Sequence, residues 1–389
     1  MRLVSIKYSE FPGTPSEWSI SEFSLTKINL LVGKNAAGKT RTLRVINGLA
    51  ALISGKLQPT LLSSYYYAVF EDETNDSTFV YELSVENRKV SKECLTVNGK
   101  VKIDIVRGSA KQTSESMVFE KEGKPVEVQI PEATLAITVR RDKIQHGYIE
   151  PIHEWAKSVQ HYTFAEYNGR QLSVGSDEAI SNVDPLLSSG DITGLVKFAL
   201  KNIGLPFRKA VIDDMKDIGY DISDFGVMPI PMEIQSKLGS PKLPEIVYIK
   251  EKGIAKPILQ SDISHGMFCA FVILSQFRVN LLAKKLPCIL LDDVGEGLDF
   301  DRSTKLISIL IKIAEEGSFQ LVMTTNDRFV MNKVPLKYWC VIQRERGIIT
   351  TFNWQNSPEA FTEFEEYGSN NFDFFSKKYF LKKASKKNK

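Results

Sequence analysis

One segment near the start of the chain, Gly33-Lys34-Asn35-Ala36-Ala37-Gly38-Lys39-Thr40, limits its architecture more than any other. It completes a G-x-x-x-x-G-K-[ST] pattern, preceded by the apolar strand candidate Ile28–Val32 and followed by a helical pattern from about Lys39 to Ile53. Glycine accepts dihedrals that a Cβ obstructs, so a loop of this kind can turn its backbone N–H groups inward around an anion. A helix starting at Lys39 adds the positive end of its dipole. The expectation is a phosphate loop set on an α/β sheet. Lys39 would reach the β- and γ-phosphates, the Thr40 hydroxyl would ligate Mg2+, and Gly33, Lys34, Asn35, Ala36, Ala37, Gly38 and Arg41 would line the nucleotide.

A second signal lies far downstream, where the apolar run Ile289-Leu290-Leu291 ends in Asp292-Asp293. Adjacent acids beyond a core strand are unfavourable unless a cation or water uses them. Asp292 is placed to hold Mg2+ through its water shell, and Asp293 to polarise an attacking water as a general base. A solvated turn is the other reading of the same pair.

Asp292-Asp293-Val294-Gly295-Glu296-Gly297-Leu298-Asp299 resembles the Walker B and D-loop block of ABC-type ATPases. It is most similar to the branch that contains RecF, the chromosome-maintenance ATPases and the overcoming-lysogenization-defect proteins. The resemblance implies an ABC-type P-loop NTPase head with a mixed β-sheet, an inserted antiparallel β lobe and a helical lobe carrying the signature segment. It implies ATP and Mg2+ as cofactors and a head-to-tail homodimer or higher homo-oligomer, with Asp299 in contact across the interface. Ile263-Ser264-His265-Gly266-Met267 resembles the signature, in which a serine and a glycine at a helix start meet the γ-phosphate of the opposite subunit. Ser264 as the cap of its own helix is the alternative. Asn326 stands where many ABC ATPases place a switch histidine, and Asp293 where many carry glutamate, so slow turnover is expected. Gln145 and Gln160 are weak candidates for the glutamine loop.

The firm resemblance covers roughly residues 1–55 and 245–355. The expected organisation is a discontinuous core over 1–60 and 245–355, a β lobe over 61–140 and a mixed helical lobe over 141–244. Residues 356–389 form a docking segment and a basic tail. β signals such as YYYAVF, STFVYELSV and KVKIDIV, with an Asn98-Gly99 turn, mark the β lobe. Between Val32 and the C-terminus the core strand candidates are Cys288–Leu291, Gln320–Thr324 and Tyr338–Gln343, with Ile348–Phe352 expected at the sheet edge.

Hydrophobic residues at 43% and charged residues at 25% are ordinary globular values, and a net charge of +3 is too small to imply nucleic-acid binding in bulk. Cys94, Cys269, Cys288 and Cys340 form no CxxC pair, so neither a zinc site nor a disulfide framework is expected. No uninterrupted apolar run has the length of about 18 residues that a membrane helix needs, and no signal-peptide layout opens the chain. The expectations are a cytoplasmic location and no membrane partner.

More than two hundred residues separate loop and signature, unlike transporter subunits, and the strand-rich insert is unlike long coiled-coil arms. Only about 35 residues follow Phe352, too few for a Toprim-type nuclease domain, so any nuclease would be a separate polypeptide. Three readings follow. The first is a nucleotide switch controlling a separate, nuclease-like effector, similar to phage-defence ATPases such as that of the PARIS system. The second is a RecF-like repair ATPase contacting nucleic acid through the β lobe or the basic tail, where residues 377–389 hold seven lysines. The third is a weakly hydrolysing, nucleotide-gated scaffold.

Overall fold

The computed structural model describes residues 1–59, 63–107, 114–119, 123–164, 191–230, 245–366 and 370–381. The chain divides into two compact units, Met1–Val159 with Leu336–Lys389, and Gln160–Pro335. In this division residues 245–335, expected to join 1–60 in one core, fall in the second unit, and residues 61–140 fall in the first.

The first unit begins with β1 (Arg2–Glu10), β2 (Trp18–Ser24), β3 (Ile28–Val32) and α1 (Lys39–Ile53). β4 (Ser63–Asp72), β5 (Ser77–Glu86), β6 (Lys89–Val97), β7 (Lys100–Val106), β8 (Ser114–Val118) and β9 (Pro125–Glu127) follow, then α2 (Ala136–Val139) and α3 (Glu150–Ser158). Every residue of β3 is buried, as its unbroken apolar run demands. β4 alternates buried and half-buried residues along its whole length, the period of a strand with one covered face. Asn98 and Gly99 both take left-handed dihedrals (φ 49° and 76°), which suits the tight turn joining β6 to β7. α1 buries Leu43, Ile46, Leu49, Ala50 and Ile53 along one stripe and packs on α3.

The second unit holds β10 (Val159–Thr163, from Gln160 onward), α4 (Ile192–Asn202), α5 (Leu205–Asp217), β11 (Ile222–Pro229), β12 (Glu245–Glu251) and β13 (Ile258–Leu259). It continues through α6 (His265–Leu282), β14 (Cys288–Asp292), α7 (Phe300–Gly317), β15 (Gln320–Thr324) and α8 (Arg328–Lys333). β14 and β15 run parallel, in register from Cys288↔Gln320 to Leu291↔Met323, with α7 as the crossover. β10 lies on the other side of β14, and β11, β12 and β13 make a small antiparallel sheet.

α6 has a mean hydropathy of 1.3 over 18 residues, enough by composition to cross a membrane, yet 78% of it is buried inside the protein. It is a core helix, and two of its polar residues tie it to neighbouring elements. Arg278 grips the buried Asp214 of α5 through two hydrogen bonds of 2.6 Å. Asn280 exchanges amide hydrogen bonds with Gln160 at 3.0 and 3.3 Å, and Tyr162 donates to Gln160 as well. Gln160 is thereby committed to the core, which removes it as a glutamine-loop candidate.

The chain then returns to the first unit with β16 (Trp339–Glu345), β17 (Ile348–Asn353), α9 (Pro358–Glu366) and α10 (Asn371–Ser376). The sheet of this unit runs β3-β16-β17-β2-β1-β4-β5-β6-β7-β8-β9 and is mixed: β16 is parallel to β3 and β17 to β2, and the other pairs are antiparallel. One expectation is corrected here. β17 is no sheet edge, because it is flanked by β16 and β2. The expected antiparallel β lobe is present and extends the same sheet, since β4 pairs with β1 from Arg2↔Glu71 to Glu10↔Ser64. The C-terminal segment docks through aromatic rings: Phe374 meets Phe361 at 4.5 Å, Phe364 at 5.1 Å and Trp339 at 6.4 Å. Parts of the expected helical lobe (165–190, 231–244) and most of the basic tail (382–389) lie outside the described residues.

One buried carboxyl predicts a pH dependence. Glu93 on β6 accepts the N–H groups of Ala136 (2.6 Å) and Ile137 (3.0 Å) at the start of α2, and the Tyr81 hydroxyl at 3.1 Å. Burial pushes its pKa up to about 7 against the pull of those backbone donors. A raised folded pKa means that its stabilising contribution is complete below the unfolded value and is lost as pH rises through the folded one. Between pH 5 and 8 the protein should therefore lose about 2–3 kcal/mol relative to a Glu93→Gln variant, measured by denaturant unfolding at both pH values. Parallel pH profiles would exclude this role.

Candidate functional site

The phosphate loop lies wholly in the first unit, between β3 and α1. Gly38, the residue that caps α1, sits at φ +100°, and a Cβ there would lie 2.5 Å from Cδ1 of Ile349. Ala36 is also left-handed at φ 61°. Alternating right- and left-handed residues curl successive N–H groups to one side, the concavity that holds anionic oxygens. No side chain caps the start of α1 and no acid occupies its first turn, so the positive helix end is left for an anion. Lys39 is buried, and its ammonium donates to the carbonyl oxygens of Gly33 (2.9 Å) and Lys34 (3.3 Å). Thr40 stands in the first turn and Thr42 bonds back to Gly38 at 3.0 Å. Arg41 lies 4.2 Å above the Trp18 ring and pairs with Glu10, which Tyr8 also contacts at 2.7 Å. Burial lowers the Arg41 pKa, aided by the like charge of Arg344. Trp18 escaped the sequence reading, because an aromatic residue in a β-strand carries no local mark of a loop neighbour.

The acidic pair lies in the second unit at the end of β14. Asp292 is buried, and the Thr324 hydroxyl at the end of β15 donates to it. The same hydroxyl accepts the Asp293 N–H at 2.9 Å. Asp293 takes a left-handed φ of 53°, which turns its carboxylate away from the line of the strand. The Asn326 amide donates to that carboxylate at 3.1 Å. Asp292, Asp293 and Asn326 are thus brought together, with Thr324 as the bridge that sequence reasoning missed. Its only trace was a hydroxyl residue closing an apolar strand. Asn326 thereby orients Asp293 within the chain, a role that was not anticipated.

Ser264, Gly266 and Asp299 gather around one loop of the same unit. A Cβ on Gly266 would lie 2.6 Å from the Gly297 carbonyl oxygen and 2.9 Å from the Leu298 side chain. The glycine therefore lets the start of α6 press on the segment before Asp299. Ser264 caps α6 by position, but its hydroxyl makes no capping hydrogen bond and the residue is exposed. Asp299 caps α7 by accepting the Arg302 N–H at 3.0 Å and pairs with the Arg302 guanidinium. That N–H is the main reason its carboxyl stays below the usual range. His265 packs beside Gly297 and lies 3.6 Å from the Cys269 sulfur.

Asp292 offers one buried carboxylate, a hard oxygen donor of the kind Mg2+ takes. Among the described residues no group of three or more His, Cys, Asp or Glu side chains forms a metal cage, and Mg2+ characteristically uses one or two carboxylates with substrate phosphates.

No protein-family model matches the sequence, and no curated protein does. Solved structures share its fold. An SMC head bound to the C-winged helix domain of ScpA matches with a TM-score of 0.52 at 11% identity, over 92% of this chain and 100% of that one. A second SMC head, with an extended coiled coil and bound to the C-terminal domain of ScpA derived from Pyrococcus furiosus, gives 0.51 at 10% identity, over 94% and 99%. The SMC head domain from Thermotoga maritima gives 0.45 at 13% identity, over 91% and 99%. The chain therefore shares the mixed α/β fold of the two SMC heads that match at TM-scores of 0.52 and 0.51.

Proposed function

We propose that this chain is a Mg2+-dependent ATPase head that binds ATP, closes as a head-to-tail homodimer and thereby controls a separate effector protein. The phosphate loop carries the proposal: a complete G-x-x-x-x-G-K-T segment curled by left-handed Ala36 and Gly38, ahead of an uncapped helix start. In this reading backbone N–H groups and Lys39 hold the phosphates. Thr40 and Asp292 serve Mg2+, which neutralises phosphate charge when bound. Asp293, oriented by Asn326, accepts a proton from the attacking water. Ser264, Gly266 and Asp299 offer a surface to the second subunit, consistent with the unused Ser264 hydroxyl.

Two of the three SMC heads above were solved with a domain of ScpA, which supports a protein partner for this chain. We assign that partner to the effector class, nuclease-like and acting in antiviral defence, in keeping with the resemblance to phage-defence ATPases. Light scattering on the full chain provides the test. Mg-ATP should convert the Asp293→Asn variant from monomer to dimer, and EDTA should reverse it. A mass that is the same with and without Mg-ATP would refute the switch.

A further inference from the structure

A cavity of about 370 Å3 lies in the first unit against the Gly33–Thr40 loop. Lys34–Ala37 form one wall, Ile342–Arg344 at the end of β16 a second, and Phe375, Ser376, Lys378 and Phe380 of the C-terminal segment a third. Gly38, Lys39 and Thr40 do not line it, so it shares with the proposed triphosphate site only the loop wall Lys34–Ala37.

Three features define what it can hold. Lys34, Arg344 and Lys378 supply positive charge, and no carboxylate is among the described lining residues. The nearby acids are engaged elsewhere, Asp373 by Lys377 at 3.1 Å and Glu345 by Gln343 at 2.9 Å. The rings of Phe375 and Phe380, 15° from parallel with centroids 6.4 Å apart, give apolar aromatic surface. Gln343 supplies the third feature. Its amide N–H is committed to Glu345, so its carbonyl oxygen faces the other way, where it is buried and accepts no hydrogen bond. A buried acceptor in that state favours a ligand that brings a donor. The volume is at the lower end for ligand pockets, which suits a small molecule and excludes a duplex.

An anion, a flat apolar body and a hydrogen-bond donor together describe a nucleoside monophosphate. We propose that this cavity is a second nucleotide site, binding a nucleoside monophosphate between the phosphate loop and the C-terminal segment. Arg344 and Lys378 take the phosphate, the phenylalanine wall takes the base, and Gln343 accepts from a ribose hydroxyl or base amino group. Lys378 is held for this by a left-handed turn (φ 56°) whose N–H bonds Phe375 at 3.1 Å.

The test is calorimetric titration of AMP into the full chain saturated with Mg2+ and a non-hydrolysable ATP analogue. One AMP should bind per chain. The double variant Arg344→Ala/Lys378→Ala, both exposed positions, should weaken it about tenfold or more while changing analogue affinity less than about twofold. Inorganic phosphate should bind more weakly than AMP. The site is disproved if the analogue blocks all AMP uptake, if the double variant binds AMP normally, or if phosphate matches AMP. The Lys39→Ala chain should still take AMP, so failure of the triphosphate reading would be told apart from failure of this one.

Discussion

Replacing Lys39 with alanine is expected to weaken ATP binding by about 30- to 1,000-fold, the usual penalty of about 2–4 kcal/mol for truncating a buried charged partner. The ammonium is held by the carbonyl oxygens of Gly33 and Lys34. It is therefore already positioned inside the loop, and phosphate oxygens replace two neutral acceptors with charged ones. The loop itself should survive the change, because its course depends on left-handed Ala36 and Gly38 and on the burial of β3. Arginine should not restore function, since a planar fork does not fit where a compact ammonium is enclosed. Titration of a fluorescent ATP analogue measures the loss. An affinity within about twofold of the parent would remove the basis of the functional proposal.

Asp293→Asn should lower the hydrolysis rate by about 10²- to 10⁴-fold, the range of a general base, while ATP affinity changes little. Asparagine tolerates the left-handed φ of 53° found at this position and is nearly isosteric, so local structure should persist. What it cannot do is take a proton at neutral pH. Asn326→Ala should lower the rate less, since it removes an orienting hydrogen bond of 3.1 Å and not the base. Single-turnover phosphate release separates these effects from nucleotide binding. A normal rate in Asp293→Asn would reassign the base to another group, and equal losses in both variants would make Asn326 more than a positioning residue.

Several elements are legible from local chemistry alone. The bounds of β3, α1 and β15 match the sequence reading because each is a strong periodic run with glycine, threonine or asparagine punctuation at its ends. The Asn98-Gly99 turn is legible for the same reason. β10 and β11 are not, since VQHYT and ISDFGVMP are polar or mixed segments that become strands only through their neighbours.

Residue types and their spacing along the chain determined the phosphate loop, the acidic pair and the class of fold. Only the tertiary structure decided that β17 lies inside its sheet, that the β lobe continues β1, and that Thr324 ties Asp292 to Asp293. It likewise decided that Gln160 is locked to Asn280 and that the C-terminal rings wall a cavity beside the loop. The physical reason is range. Dihedral preference and hydrophobic period act over a few residues, whereas the Asp293–Thr324 and Gln160–Asn280 contacts join positions 31 and 120 residues apart. Such partners are chosen by the packing of the whole core, and nothing local records the choice.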